Sequence, residues 1–104
     1  MITIEEIIKW SKPHPMTKHT GDDGRVSRFG DGRIEFSIVG GARGLYGNFS
    51  TTFEVAIIDL KTKNFVTNFF YPEGGEDIIG HMSAKKVEEL VNSVIKRENL
   101  SVER

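Results

Sequence analysis

The chain has 104 residues, of which 38% are hydrophobic and 28% are charged, and its formal net charge at pH 7 is −1. This composition is typical of a single globular domain, which we expect to span residues 1–104, and the near-neutral balance excludes a basic nucleic-acid arm or an acidic nucleic-acid mimic. The absence of cysteine excludes disulfides, thiolate chemistry and cysteine-ligated zinc or iron–sulfur centres.

A short amphipathic helix is predicted over residues 3–10. Thr3 and Glu6 have the spacing of a capping box, in which each side chain binds the backbone N–H of the other residue. Isoleucines at helical spacing predict one apolar face: Ile4, Ile7 and Ile8. Two prolines end the helix, and the polar stretch at 11–24 predicts a long loop or mobile lid because it has no periodic apolar pattern.

Four strands are predicted, at 25–29, 33–38, 51–60 and 65–71. The second alternates apolar and polar residues, which is typical of a half-buried strand. The third is apolar on both faces and is therefore expected to be central. Its second apolar face has three interpretations, namely sheet curvature, packing by the loop at 11–24, or a dimer interface.

The C-terminal helix is the clearest element. Ser83 is its expected N-cap, and apolar residues at helical spacing form a single stripe: Val87, Leu90, Val91, Val94 and Ile95. An acidic, flexible loop at 73–77 is expected before it, and a fraying tail at 98–104 after it. The predicted fold class is α+β, a four-stranded antiparallel meander with an N-terminal and a C-terminal helix packed on one face, in the order α-β-β-β-β-α.

The most unusual stretch is 39–49, which carries four glycines: Gly40, Gly41, Gly44 and Gly47. It is not a P-loop, since the lysine and hydroxyl that follow the glycines there are missing, and a strand rather than a helix comes next, unlike a dinucleotide fingerprint. One interpretation is a wide hairpin loop between the second and third strands. The other is a binding loop that presents Arg43 and Tyr46, two residue types enriched at binding hot spots.

Four of the six arginines lie between positions 25 and 43, namely Arg25, Arg28, Arg33 and Arg43. With Lys12 and Lys18 nearby, they predict a basic edge that contacts a partner. The alternative is a set of solvated charges, partly paired to neighbouring acids: Asp22, Asp23, Asp31 and Glu35.

Catalytic and metal-binding patterns are weak. His14, His19 and His81 lack zinc-site spacing, so we expect no metal. Glu35 and Glu54 flank the glycine stretch and would be near neighbours if their strands pair, but surface charges explain them better than a glycosidase-like pair does. No serine-hydrolase motif is present. We therefore expect no catalytic residues, no cofactor and no enzyme activity.

The leading functional prediction is a small non-enzymatic binding protein that contacts a protein or nucleoprotein complex through the Gly40–Gly47 loop. In size alone the chain resembles the single-domain accessory proteins of phages and mobile elements, which implies an inhibitor of a host complex. The alternatives are a binder of a nucleotide or other small anion, or a minor enzyme acting on one, and a homodimeric structural module. The N-terminal residues lack the basic region and apolar run of a signal peptide, and no apolar run approaches the ~18 residues of a membrane span. We therefore expect a cytoplasmic protein, in the host cell if it is phage-encoded, without a membrane partner.

Overall fold

The computed structural model describes residues 1–15 and 23–102. Its strands are β1 (Lys12–Pro13), β2 (Arg25–Gly30), β3 (Ile34–Gly40), β4 (Thr52–Asp59), β5 (Asn64–Phe65) and β6 (Ile79–Ser83). Its helices are α1 (Ile4–Lys9), α2 (Thr67–Phe70) and α3 (Ala84–Glu98), and a 3-10 turn lies at Pro72–Gly74. The predicted α+β class with an antiparallel sheet is confirmed, whereas the four-stranded meander is not.

Among the described strands, β4 pairs with the largest number of neighbours. The strands of the sheet follow the order β1-β2-β3-β4-β5, and β6 also pairs with β4. The outer edge of β4 is thus shared by two short strands, because β5 pairs with Ile58 and Asp59 while β6 pairs with Thr52, Phe53 and Val55. The prediction that this strand is central and apolar on both faces is confirmed.

The predicted fourth strand at 65–71 is wrong beyond its first residue. Only Asn64 and Phe65 pair with β4, and the chain then forms α2. The buried hydroxyl of Thr67 accepts the N–H of Ile57 at 2.8 Å and donates to its carbonyl oxygen at 3.4 Å. This side chain satisfies the β4 backbone where a strand would otherwise pair, so the β-forming residues around it can turn away as a helix.

Two strands are not predicted from the sequence. β1 lies within the predicted loop at 11–24 and pairs Lys12 with Val26. Pro13 is tolerated because β1 is at the edge of the sheet, where no neighbouring strand needs a hydrogen bond from this position. β6 is not recognisable as a strand because Gly80 and His81 have low strand propensity. Residues 16–22 of the predicted lid lie outside the described residues.

The hydrophobic core lies between one face of the sheet and the helices. The stripe of α3 packs against inward-facing residues of β3 and β4: Phe36, Ile38, Phe53, Val55 and Ile57. The predicted capping box of Thr3 and Glu6 and the N-cap at Ser83 are both present. Ile8 is exposed, however, so the apolar face of α1 is narrower than predicted and consists of Ile4 and Ile7.

The predicted fraying tail is wrong at its beginning. Asn99 adopts a left-handed conformation, and its N–H and that of Leu100 bond back to the carbonyls of Lys96 and Ile95. This is a Schellman motif, which ends a helix by satisfying its last carbonyl groups. Leu100 is consequently buried beside the core.

The helix-free face of the sheet carries a smaller apolar set. Val26, Val39 and Ala56 are each less than a tenth exposed and belong to no part of the main core cluster. Their burial within one chain leaves little of this apolar surface for a dimer interface. The homodimeric alternative stays a prediction.

Candidate functional site

The glycine stretch forms the hairpin connection between β3 and β4, as predicted. The N–H of Gly41 donates to the carbonyl of Gly47 at 2.9 Å, which closes the loop at its base. The Asn48 side-chain oxygen then accepts the backbone N–H groups of three successive residues at 2.8–3.0 Å: Ser50, Thr51 and Thr52. The connection is therefore held by its own hydrogen bonds.

The glycines are required for two different reasons. Gly41 and Gly44 have φ angles of 90° and 85°, which side chains rarely tolerate. Gly40 and Gly47 instead allow close backbone contact, since a Cβ on Gly47 would lie 2.8 Å from the Cα of Phe53. Loop closure and packing therefore account for all four glycines.

Most amides of the stretch are already used within the protein. Those that donate to protein oxygens belong to Gly41, Leu45, Tyr46, Gly47, Asn48 and Phe49. An anion-binding nest needs consecutive free N–H groups that converge on one point. Hydrogen bonds within the protein therefore use six of these amides, and the phosphate-binding role in the anionic-ligand alternative stays a prediction.

Tyr46 is fixed through its backbone while its ring remains open to solvent. Its N–H donates to Oε1 of Glu54 at 2.9 Å, and its carbonyl accepts the N–H of His81 at 2.7 Å. The residue is nevertheless 59% exposed. The phenol ring meets the His81 imidazole edge-on, with the ring centres 6.1 Å apart.

A bulge in β6 creates the surface on which Tyr46 lies. Phe53 pairs with Met82 and Val55 with Ile79, so Gly80 and His81 together face Glu54 alone. His81 has a φ of 55°, in the left-handed region. A Cβ on Gly80 would lie 2.6 Å from the Cβ of Tyr46, so only glycine permits this approach.

A groove of about 630 Å³ opens between the loop and β6. It is lined by Gly44, Tyr46, Glu54, Glu76, Asp77, Ile78, Gly80 and His81. Glu54 alternates with the core residues Phe53 and Val55, so the groove lies on the helix-free side of β4. Its floor is β4 and β6, and its rims are the glycine loop and the acidic segment before β6.

The groove has an acidic lining with apolar side chains beside it. Glu54, Glu76 and Asp77 provide three carboxylates, and among the described residues His81 is the one basic side chain that lines it. Glu76 and Asp77 are exposed and make no ion pair with another residue in the described ranges 1–15 and 23–102. Tyr46 and Ile78 are both exposed apolar residues at this groove.

The arginines predicted to form one basic edge have separate local partners. Arg25 donates to the hydroxyl and carbonyl oxygens of Ser11 after α1. Arg28 pairs with Glu35 at 3.7 Å. Arg33 pairs with Asp31 at 3.0 Å and donates to the carbonyl of Glu98. This arrangement matches the predicted alternative of locally paired charges.

The remaining predicted contact residues are divided between the loop and the undescribed segment. Arg43 is exposed on the glycine loop, but it does not line the groove. Lys18 lies outside the described residues. Their roles in partner binding stay predictions.

The expected proximity of Glu35 and Glu54 is wrong although their strands do pair. Glu35 faces Ile58 and Glu54 faces Val39, which separates the carboxylates by about 13 Å along the strands. His14 and His81 lie near opposite edges of the sheet. Within the described residues no three side chains come together as metal ligands, and His19 and Asp22 fall outside them.

A second, smaller groove has the opposite charge. Its volume is about 370 Å³ and its lining is Lys12, His14, Pro15, Val26 and Arg28. Lys12 reaches it through the β1–β2 pairing, and Arg28 shares its strand face with Val26. Part of the predicted basic edge therefore does come together, away from the glycine loop.

Comparisons of the chain with protein families, curated proteins and solved structures found no match. In the part of the chain that the structure describes, no helix has the length and apolar character needed to cross a membrane. The function is therefore inferred from the geometry of the groove.

The sequence points to Tyr46 but not to the residues that surround it. It relates Glu54 only to Glu35, and it offers His81 only as a metal ligand. The sequence feature that could have indicated these residues is the acidic run at 73–77, which is followed closely by Gly80 and His81. Only the pairing of β6 with β4 brings that run to the glycine loop.

Proposed function

We propose that this protein is a non-enzymatic binding protein whose site is the groove around Tyr46. The observation that carries the proposal is the combination of a fixed backbone and an exposed ring at Tyr46. A loop whose backbone is already held before binding loses less conformational freedom on association than a mobile loop. Tyrosine is also among the residues that dominate binding energy at protein interfaces.

The surroundings of Tyr46 suit a protein partner. Ile78 adds apolar area beside the ring, and the carboxylates of the lining supply polar contacts. Protein interfaces combine aromatic and apolar contact residues with polar contacts in the same way. Arg43, on the same loop, remains part of this proposal as a peripheral contact.

The narrower prediction is a phage-type accessory or inhibitor protein that acts on a host protein or nucleoprotein complex in the cytoplasm. It rests on the size of the chain alone. The groove supports the binding role and not the identity of the complex. The binding surface is therefore the primary proposal, and the kind of partner is secondary to it.

The test is photo-crosslinking in the source cell. A benzoylphenylalanine at position 46 should capture a partner, and the same group at position 69 is the matched control because Phe69 is 62% exposed on α2. Tyr46→Ala should abolish co-purification of that partner, whereas Phe69→Ala should not, and both variants should melt close to the wild type. Retention of the partner by Tyr46→Ala overturns the proposal.

A second candidate function, binding of a small anion such as phosphate or a nucleotide, is favoured by the smaller groove. Lys12, His14 and Arg28 provide its basic lining, although Glu35 partly balances the charge of Arg28. A thermal-shift screen tests it, since a ligand at 100 times its Kd stabilises the native state by roughly 2.7 kcal/mol. The shift should disappear in Arg28→Ala and persist in Tyr46→Ala.

A further inference from the structure

We propose that the groove around Tyr46 receives a lysine or arginine side chain from an extended segment of a protein partner. This inference rests on the proposed function, because it names the chemistry of the partner at the same site. Its basis is the match between the acidic lining, the exposed ring and the apolar side chain of Ile78.

The charge of the groove selects for a cation. Its three carboxylates come from separate parts of the chain, one on β4 and two on the segment before β6. Glu54 uses one oxygen for the N–H of Tyr46, which leaves its other oxygen for a ligand. The three carboxylates give the lining of the groove a negative charge, which attracts a cation.

The aromatic ring gives a second, independent reason for a basic side chain. The open face of a tyrosine ring attracts ammonium and guanidinium groups. The backbone of Tyr46 is held by hydrogen bonds on both sides of the residue, and its ring meets the His81 imidazole edge-on. A lysine or arginine could therefore place its charge between the ring and the carboxylates.

The apolar part of the groove fits the rest of that side chain. Ile78 is exposed next to Asp77 and lines the groove with Tyr46. Lysine and arginine carry a methylene stem that packs against such surfaces while the charged end stays polar. A free metal ion or a small amine would leave the apolar surface uncovered, so a side chain on a peptide is the better match.

Nucleic acid and other polyanions are the wrong partners for this surface. Phosphate groups would approach Glu54, Glu76 and Asp77, and the described part of the chain places no arginine or lysine in the groove lining to receive them. The charge of the groove therefore favours a basic protein segment over the nucleic acid of a nucleoprotein complex.

The experiment is a selection of random dodecamer peptides displayed on phage against the full chain. Enriched peptides should share a central lysine or arginine, and synthetic copies should bind in a fluorescence-anisotropy titration. Binding should weaken roughly tenfold in the double variant Glu76→Gln with Asp77→Asn, because two ion pairs are lost. Replacement of the peptide lysine by norleucine should have a similar effect.

The matched control is the double variant Glu5→Gln with Glu89→Gln. It removes the same charge from exposed positions on α1 and α3, away from the groove. Its affinity for the enriched peptides should equal that of the wild type. An equal loss in both double variants would indicate a general charge effect and would overturn the inference.

The outcomes separate the inference from the proposed function. Neutral or acidic peptides that bind and depend on Tyr46 would overturn the inference while the proposed function stands. The inference would be contradicted if no peptide were enriched, or if the enriched peptides bound independently of both Tyr46 and the carboxylates. Either result would also remove support for the groove as a binding site. Tyr46-dependent binding of a single-stranded oligonucleotide would also overturn the inference in favour of nucleic acid.

Discussion

The backbone N–H of Tyr46 donates a hydrogen bond to Oε1 of Glu54 at 2.9 Å. Tyr46 belongs to the glycine loop and Glu54 to β4, so a strand side chain sets the position of the loop. The carbonyl of Tyr46 is held by the bulge of β6 through His81. The loop is thereby tied to both strands that form the floor of the groove.

Glu54→Ala should loosen the glycine loop without unfolding the domain. The N–H of Tyr46 loses its acceptor, and a hydrogen bond to a charged group contributes about 1.5–3 kcal/mol. Amide hydrogen exchange at Tyr46 should accelerate roughly tenfold or more, while amides of the buried strand residues stay protected. Glu54→Gln keeps an oxygen acceptor and is the matched control. Equal exchange in both variants would show that the bond does not position the loop.

Gly80→Ala should displace Tyr46, because the new methyl group would lie 2.6 Å from the Cβ of Tyr46. Forcing an extra carbon into such a contact typically destabilises a protein by about 1–3 kcal/mol. Chemical denaturation measures that loss, and the NMR shifts of the Tyr46 ring report its movement.

Gly75→Ala provides the comparison. Gly75 has a φ of 68°, and a Cβ at this position would have no atom within 4 Å, so alanine strains only the local backbone, by about 1–2 kcal/mol. The Tyr46 resonances should stay unchanged in this variant. Unchanged resonances in Gly80→Ala would contradict the close contact.

The elements that could be predicted are those with strong local patterns. The α3 stripe from Val87 to Val94 follows helical periodicity, and the buried residues of β3 and β4 alternate or run continuously. The region around Thr67 could not be predicted, since its β-forming residues give no sign that one hydroxyl binds the backbone of Ile57. A contact between specific atoms ten residues apart leaves no periodic trace.

The candidate site was only partly predictable for the same reason. The glycine stretch and Tyr46 stand out in the sequence as unusual residues. The groove depends on the approach of Gly80 and His81 to Tyr46, which requires β6 to pair with β4 through a bulge. A two-against-one pairing breaks the alternation by which a strand is recognised.

Asp31 should contribute to stability at neutral pH and not in strong acid. Hydrogen bonds from the backbone and side chain of Arg33, and from the N–H of Ile34, hold the pKa of its carboxylate below the ordinary value of 3.8. A folded-state pKa below the unfolded one means that the stabilisation is present above pH 3.8 and disappears as the pH falls through the folded-state pKa.

Asp31→Asn tests this linkage. The variant should melt below the wild type at about pH 6, and the two melting temperatures should converge as the pH falls through the folded-state pKa of Asp31 and its carboxylate becomes protonated. Glu98→Gln is the comparison variant, because it removes a different carboxylate and keeps the backbone carbonyl that accepts a hydrogen bond from Arg33. A difference between wild type and Asp31→Asn that does not change with pH would contradict the role of the carboxylate charge.

Thr67→Val should destabilise the domain although it preserves the shape of the side chain. The hydroxyl of Thr67 accepts the N–H of Ile57 in a fully buried position, and valine leaves that donor without a partner. An unsatisfied buried group costs about 1–3 kcal/mol. Thr67→Ser retains the hydroxyl and loses only a methyl group, worth about 0.8 kcal/mol. Urea denaturation should therefore rank serine above valine, and the reverse order would show that packing, not the hydrogen bond to β4, holds α2 against the sheet.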